Sequence, residues 1–107
     1  MITAFEAQGC SLILTTGGTG ITERDVTPEA VRDIMRVEID GFGELMRMRS
    51  VEITPNAILS RGLAAVVGNS LVITLPGKPK GAVECLEFVE GAIPHTVKLC
   101  VGEPTSC

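Results

Sequence analysis

Short apolar blocks, separated by loops that contain glycine and proline, predict strands and helices in alternation along the chain. Residues 11–16 form a β-prone run of the kind found in a buried parallel strand, and the run stops at Gly17. Residues 66–67 and 71–75 are also β-prone, which predicts a hairpin with the three-residue loop 68–70. This order predicts an α/β domain of three layers, with helices on a mostly parallel sheet in which residues 11–16 are central.

Helical spacing of apolar residues accounts for much of the remaining chain. Thr27 is expected to cap a helix in which Pro28 takes the first position. Val31 and Ile34 give this helix one buried face, and it should end before Asp40. The other expected segments are a helix end over residues 1–8, a short helix over 43–49, a weak strand or extended link over 51–54, a helix over 55–64, a helix over 80–89 with a kink or restart at Pro94, and a frayed tail from about residue 102.

Length and charge narrow the class of protein. A chain of 107 residues forms one domain at most. The formal net charge of -4 argues against nucleic acid as the main partner, because such binding needs clustered Lys and Arg. No apolar run approaches the roughly 18 residues of a membrane span, and the start at Met1 lacks the features of a secretory signal. We therefore expect a soluble, cytoplasmic protein with no membrane partner.

The four cysteines are far apart and form no C-x-x-C pair, which argues against a zinc ribbon or a thioredoxin motif. Cys10 and Cys85 lie in apolar stretches, where a cysteine usually serves as a small core residue. With His95 as the only histidine, a histidine-rich metal site is excluded. We expect reduced thiols without a catalytic or metal-binding role.

A glycine-rich loop follows the first predicted strand, and its residues are Gly17, Gly18, Thr19 and Gly20. Without side chains, its backbone N–H groups can approach phosphate or pterin oxygens closely, and Thr19 adds a hydroxyl donor. The loop is not a Walker A motif, because the Lys and Ser/Thr of that motif are missing. From these four residues alone, a plain structural turn is an equal alternative.

Asp25 should project from the same rim, because it lies two residues before the expected helix cap. A carboxylate that faces bound phosphates would repel them unless a divalent cation lay between, and Mg²⁺ is the natural ion. The alternative is that Asp25 only supports the helix start. Lys78 follows the last strand in a turn that contains proline and glycine. Two interpretations are open: the Lys78 side chain binds an anion, or the residue only belongs to a rigid turn that ends the strand.

Four segments in this order resemble the signatures of the molybdopterin adenylyltransferase family, of the MogA and gephyrin G-domain type. They are LTTGGTG at residues 14–20, RDVTPEA at 24–30, LPGKP at 75–79 and ECLE at 84–87. Residues 41–47 and 54–61 are similar to the bacterial MogA branch in particular, and the similarity extends over about residues 9–97.

This resemblance implies an enzyme that transfers AMP from MgATP to the terminal phosphate of molybdopterin and releases pyrophosphate. Asp25 falls on a family aspartate assigned to magnesium and catalysis, and the loop of Gly17, Gly18, Thr19 and Gly20 falls on the ligand-binding loop. The positions that line the pterin and phosphate pocket in the family correspond to Ser50, Ser60, Pro76, Gly77 and Lys78. Positioning and charge neutralisation dominate such chemistry, so that no side-chain nucleophile is needed.

The chain differs from family members at its N-terminus. Family members begin with a strand, a helix and a second strand whose loop supplies another functional aspartate, and all of this would precede Met1. We therefore expect a partial domain without its N-terminal third. Three interpretations follow: an enzyme impaired unless another chain completes it, a non-catalytic binding module for molybdopterin or another phosphorylated ligand, or an oligomeric structural remnant. Lost strands expose apolar surface, so we expect a homo-oligomer, with a trimer favoured over a dimer as in the family.

Overall fold

The structure is a computed structural model that describes residues 2–102. Besides two 3₁₀ turns, at Pro55–Leu59 and Glu90–Ala92, its elements alternate between helix and strand along most of the chain. In chain order they are α1 (Ile2–Ala7), β1 (Leu12–Thr16), α2 (Thr27–Ile34), β2 (Val37–Glu38), α3 (Asp40–Val51), β3 (Ala64–Val67), β4 (Ser70–Leu75), α4 (Pro79–Val89) and α5 (Ile93–Cys100).

The four strands form one mixed sheet in the order β1-β4-β3-β2. Strand β1 is parallel to β4, with Leu14 opposite Ile73, while the β4–β3 and β3–β2 pairs are antiparallel. The predicted α/β class is confirmed, but the sheet is mixed where we expected it to be mostly parallel. The cause is the predicted hairpin of β3 and β4, to which the short strand β2 is added. The apolar pattern does not predict β2. Strand β1 is parallel as expected, yet it lies at the edge of this sheet and not at its centre.

The core lies on both faces of the sheet. One cluster contains Leu71 and Ile73 of β4 and packs under α3, α4 and α5. The other contains Ile13 and Val72, with Val31 of α2 completely buried against them. Because side chains alternate between the two faces of a strand, one continuous apolar strand such as β4 supplies both clusters. Helices therefore cover both faces, and the expected three layers are present.

The hairpin between β3 and β4 is one residue tighter than predicted. Val67 pairs directly with Ser70, so the loop consists of Gly68 and Asn69. Gly68 has a φ of +57°, which a residue without a Cβ adopts without strain. Ser70 belongs to the predicted loop, but in the structure it is fully buried at the start of β4, where its hydroxyl donates to the carbonyl of Cys10.

Helix α2 differs from the prediction at both ends. Thr27 is not its cap: Val26 precedes the helix, and the hydroxyl of Thr27 donates instead to the carbonyl oxygen of Gly17 at 3.1 Å. The helix ends at Ile34 rather than just before Asp40, because the chain turns outward to join the sheet as β2. The hydrogen bond from Arg36 N–H to the carbonyl of Val66, at 2.7 Å, begins that pairing.

The region between β2 and β3 also differs from expectation. Helix α3 is longer than the predicted segment 43–49, and it takes in the start of residues 51–54, for which the sequence predicts a weak strand or an extended link. The helix expected over residues 55–64 is a single 3₁₀ turn that ends at Leu59. The chain must then extend to enter β3 at Ala64, so a longer helix is incompatible with the sheet.

The C-terminal helices agree with the prediction. Helix α4 spans Pro79–Val89, and a new helix starts at Ile93 with Pro94 in its first turn. Cys85 is buried as expected, while Cys10 is half-buried. Of the expected frayed tail, residues 103–107 lie outside the described residues. Within the part of the chain that the structure describes, no helix is both long and apolar enough to cross a membrane.

Candidate functional site

The glycine-rich loop and the turn after β4 meet at one edge of the sheet. Strands β1 and β4 are parallel neighbours, so the loops that follow them leave the sheet side by side. The N–H of Gly17 donates to the carbonyl of Leu75 at 2.9 Å. A Cβ placed on Gly77 would lie 3.4 Å from the Cα of Gly17, so the two glycines allow the loop backbones to pass in contact.

The first two glycines give the loop its shape. Gly17 has a φ of +88° and Gly18 a φ of +72°, and L-residues with a side chain rarely adopt either value. The carbonyl of Gly18 accepts a hydrogen bond from the N–H of Thr27 at 3.1 Å. The loop is thereby folded back onto the start of α2, and Thr19 within it is buried, with 6% of its surface exposed.

Asp25 lies at the end of the same loop, next to Gly20. Its Oδ2 accepts hydrogen bonds from both the hydroxyl of Thr22, at 2.7 Å, and the N–H of Thr22, at 2.9 Å. These bonds, the hydroxyl first, lower the pKa of Asp25 from its ordinary value of 3.8. A Cβ on Gly20 would lie 2.7 Å from Oδ2, so the missing side chain makes room for the carboxylate. Asp25 is therefore ionised at neutral pH.

An open cleft of about 760 Å³ lies over this edge. All the site residues predicted from the sequence line it, although they come from five separate parts of the chain: Gly17, Gly18, Thr19, Gly20, Asp25, Ser50, Ser60, Pro76, Gly77 and Lys78. A volume of this size is typical of a pocket for a small molecule. The structure thus brings together the whole predicted set.

Residues of α3 and of the 3₁₀ turn also line the cleft. Ser50 reaches the thiol of Cys85 across the cleft floor, with Oγ and Sγ 3.5 Å apart. Arg47 donates from Nη1 to the carbonyl of Gly62 at 2.8 Å, which fixes the chain beside Ser60. The two serines therefore stand on a wall that hydrogen bonds hold in place.

Charged side chains in the cleft include three cations, Arg47, Lys78 and Lys80, together with the carboxylates Asp25 and Glu84. The local charge is thus formally positive in a chain whose net charge is -4. A positive cleft with backbone donors suits a phosphate-bearing ligand. Among residues 2–102, no three His, Cys, Asp or Glu side chains converge to hold a metal ion.

Sequence reasoning missed several residues of this site. Arg47 and Lys80 line the cleft, and Arg61 stands behind the glycine loop and binds its backbone. The signal for Arg47 was its position one turn before Ser50 on a helix. No local pattern indicates the contacts of Arg61, because its side-chain partners, the carbonyls of Gly20 and Asp25 and the carboxylate of Glu29, are all more than 30 residues away.

Comparison with known proteins identifies the family. Residues 1–95 match the family described as "Probable molybdopterin binding domain". The chain belongs to this family. A molybdopterin adenylyltransferase of Helicobacter pylori is 54% identical to it over 93 residues, which cover 87% of this chain and 53% of that protein.

Two solved structures of molybdopterin biosynthesis proteins have the same fold. The molybdopterin biosynthesis enzyme MoaB of Thermus thermophilus superposes with a TM-score of 0.83 at 48% identity, covering 95% of this chain and 64% of that one. The molybdopterin biosynthesis Mog protein of Mycobacterium ulcerans gives a TM-score of 0.89 at 30% identity, covering 95% and 67%. The chain thus spans about half the length of the Helicobacter relative and about two thirds of these two solved chains.

Proposed function

We propose that this chain serves molybdenum cofactor biosynthesis by binding molybdopterin and MgATP for the transfer of AMP. The observation that carries the proposal is the cleft itself, in which ten residues predicted from a family resemblance all meet. The name of the Helicobacter relative, a molybdopterin adenylyltransferase, supports the same activity.

The glycine loop and the turn at Lys78 form the anion-binding side of the cleft. The Lys78 ammonium adds a positive charge where β4 passes into α4, and Thr19 adds a side-chain hydroxyl to the loop. Ser50 and Ser60 also line the cleft, and their hydroxyl groups suit the polar edge of a pterin. We assign these serines to molybdopterin, the glycine loop to the polyphosphate of MgATP, and Lys78 to the phosphate groups of both ligands.

Asp25 is the residue that we assign to magnesium. Both hydrogen bonds from Thr22 end on Oδ2, so Oδ1 is the oxygen that a cation would take. Magnesium that accompanies a nucleotide typically uses one or two carboxylates, and phosphate oxygens and water complete its shell. An ionised carboxylate at the rim of a positive cleft fits that role.

The proposed reaction needs no nucleophile from the protein. A phosphate oxygen of molybdopterin attacks the α-phosphorus of ATP, a new P–O bond forms, and the bond between the α-phosphorus and its bridging oxygen breaks to release pyrophosphate. The chain contributes by aligning the two anions and neutralising their charge, which are the dominant factors in phosphoryl chemistry.

Isothermal titration tests the proposal. We expect the chain to bind molybdopterin, and to bind ATP much more tightly with Mg²⁺ than without it. Asp25→Asn should remove the effect of Mg²⁺, whereas Asp33→Asn, on an exposed part of α2, should retain it. An equal response to Mg²⁺ in the wild type and in Asp25→Asn would show that the assigned role is wrong.

Turnover is a separate question from binding, since the chain spans 53% of its Helicobacter relative. We propose that the purified chain binds its ligands and turns them over slowly or not at all. A non-catalytic binding module is thus the second candidate function. Mixing the chain with molybdopterin and MgATP and measuring pyrophosphate release distinguishes the two candidates.

We further propose that the protein works in the cytoplasm, where ATP is present, and that it is a homo-oligomer, a trimer rather than a dimer. The trimer follows from the family resemblance, and a dimer that pairs exposed sheet edges is its main competitor. The structural support for association of either kind is the edge strand β1. Its Leu12 and Leu14 are 37% and 41% exposed, on the face where their neighbours Leu71 and Ile73 are completely buried. Apolar side chains beside an unpaired strand edge favour association.

A further inference from the structure

Arg61 makes an unusual number of contacts with the loop that carries Asp25. Its main-chain N–H donates to the carbonyl of Thr19 at 2.7 Å, and its Nε donates to the carbonyl of Gly20 at 2.7 Å. Its Nη2 donates to the main-chain carbonyl of Asp25 at 2.5 Å. One residue therefore binds the loop at Thr19, at Gly20 and at Asp25.

Glu29 holds the guanidinium group in this position. Nη1 and Nη2 of Arg61 donate to Oε2 and Oε1 of Glu29, at 2.5 and 3.3 Å, in a paired arrangement. The pair is partly exposed to solvent, since 33% of the Arg61 side chain and 53% of the Glu29 side chain are accessible. Its ionic energy is therefore small, and its main effect is to set the direction of the guanidinium plane.

The contacts also determine how the loop presents its donors. A trans peptide group points its C=O and its N–H in opposite directions, so carbonyls that face Arg61 turn the N–H groups of Gly20 and Ile21 away from it. The N–H of Gly20 is then directed to the carboxylate of Asp25 and contributes to its lowered pKa. Arg61 itself is not among the described residues that line the cleft. Arg61 therefore contacts the loop from the side away from the cleft. A bound ligand contacts the loop atoms whose positions Arg61 fixes, and it does not contact Arg61 itself.

We propose that Arg61 is a positioning residue for the nucleotide site, which fixes the backbone donors of the glycine loop and the carboxylate of Asp25 for a magnesium–polyphosphate ligand. The inference rests on the proposed function. Arginine suits this role better than lysine, because its planar group carries several donors in a fixed geometry that can reach two carbonyls and a carboxylate together.

The alternative is that Arg61 only stabilises the fold. Loss of a positioning contact behind a metal or phosphate site typically costs 10- to 100-fold in affinity or activity, so we expect roughly that loss of MgATP affinity in Arg61→Gln. Arg61→Lys keeps the charge and loses the planar fork, and should bind with intermediate affinity. A purely structural role would lower the melting temperature and weaken molybdopterin and MgATP alike.

The experiment measures binding of MgATP, of magnesium pyrophosphate and of molybdopterin by titration, together with thermal unfolding of each variant. Arg32→Gln is the matched control, because Arg32 also lies in an exposed ion pair, with Glu38 at 3.0 Å, but away from the cleft. We expect Arg61→Gln to lose MgATP affinity, to need more Mg²⁺ for half-maximal binding, and to retain molybdopterin affinity within about threefold. Arg32→Gln should match the wild type in all three.

Two further outcomes separate this inference from the proposed function. If the wild-type chain binds no MgATP, the proposed function fails. If the wild type binds MgATP with a magnesium requirement and both Arg61 variants bind it equally well, the role of Arg61 is overturned and the proposed function stands. Should Arg61→Gln fail to fold, amide exchange of Gly20 and Ile21 in Arg61→Lys provides the readout, with faster exchange expected there and unchanged exchange contradicting the proposal.

Discussion

Gly18 and Thr27 lie so close that no side chain fits between them. A Cβ placed on Gly18 would stand 2.1 Å from the hydroxyl oxygen of Thr27. That hydroxyl donates to the carbonyl of Gly17, while the N–H of Thr27 donates to the carbonyl of Gly18. The start of α2 and the glycine loop therefore form one interlocked unit, and the shape of the anion-binding edge depends on it.

The first prediction concerns this contact. Gly18→Ala adds a Cβ at a φ of +72° as well as a clash, so it should destabilise the fold by more than about 2 kcal/mol and abolish ligand binding. Gly9→Ala has the positive φ, +86°, but no neighbour within 4 Å, and should cost only about 1 kcal/mol. Gly41→Ala has neither problem and should change stability by less than about 0.5 kcal/mol. Urea unfolding measures all three, and equal losses would contradict the argument.

The positions of the glycine loop and of Asp25 were predictable because they depend on short-range rules. A β-prone run that stops at glycine, followed by a helix start, places a loop at the carboxyl edge of an α/β sheet. The family resemblance added Ser50 and Ser60, which no local pattern indicates. All of these residues line the cleft.

Other features were not predictable, because tertiary contacts decide them. Strand β2 has only the residues Val37 and Glu38, and it exists because β3 offers an edge to pair with. The 3₁₀ turn Pro55–Leu59 stops early for a similar reason, since the chain must extend to reach the sheet. Hydrophobic periodicity over such short segments cannot distinguish these outcomes.

The second prediction concerns Thr74, which lines the cleft and is completely buried. Its hydroxyl accepts from the N–H of Leu63 at 2.9 Å and donates to the Leu63 carbonyl at 3.2 Å. Thr74→Val keeps the shape but leaves a buried N–H unpaired, so it should lower the free energy of unfolding by about 1–3 kcal/mol. Thr96→Val, which removes an exposed hydroxyl bond to the Ala92 carbonyl, should cost less than about 0.5 kcal/mol. A neutral Thr74→Val would contradict the assigned hydrogen bond.

The third prediction follows from the lowered pKa of Asp25. The folded pKa lies below the ordinary value of 3.8, so the stabilisation is complete above pH 3.8 and is lost as the pH falls through the folded pKa. Thr22→Val removes the largest cause and should raise the pKa of Asp25 toward 3.8. The stability advantage of the wild type over this variant should therefore be constant near neutral pH and shrink in acid.

Carboxyl NMR titration of Asp25 checks the shift directly, and urea unfolding at several pH values checks the linkage. Thr96→Val serves as the control, because its hydroxyl bonds to the main-chain carbonyl of Ala92 and to no carboxylate. A wild-type advantage over Thr22→Val that grows as the pH falls below 3.8 would have the wrong sign for this explanation.

The fourth prediction concerns Lys78 at the cleft. It is exposed and precedes α4, so Lys78→Ala should leave the fold intact. We expect its affinity for magnesium pyrophosphate to fall about 5- to 10-fold, equivalent to about 1–1.4 kcal/mol, because one cation is lost. Lys98→Ala, an exposed lysine on α5 away from the cleft, is the control. The affinity of Lys78→Ala should also depend less on salt, and an unchanged salt dependence would argue against contact with the anion.

The last prediction concerns assembly, and it turns on the edge strand β1. Its Leu14 is 41% exposed although its neighbour in the register, Ile73, is completely buried, so association would remove apolar surface from water at an unpaired strand edge. Light scattering of the purified chain at micromolar concentration should give about three times the monomer mass of 11.3 kDa.

Leu14→Lys should dissociate the oligomer, because a charge at the interface costs more than burial of leucine supplies. Val37→Lys, on the opposite edge strand β2, should leave the mass unchanged. If Val37→Lys dissociates the oligomer while Leu14→Lys does not, the other edge forms the interface. A wild-type chain that remains a monomer defeats the assembly proposal altogether.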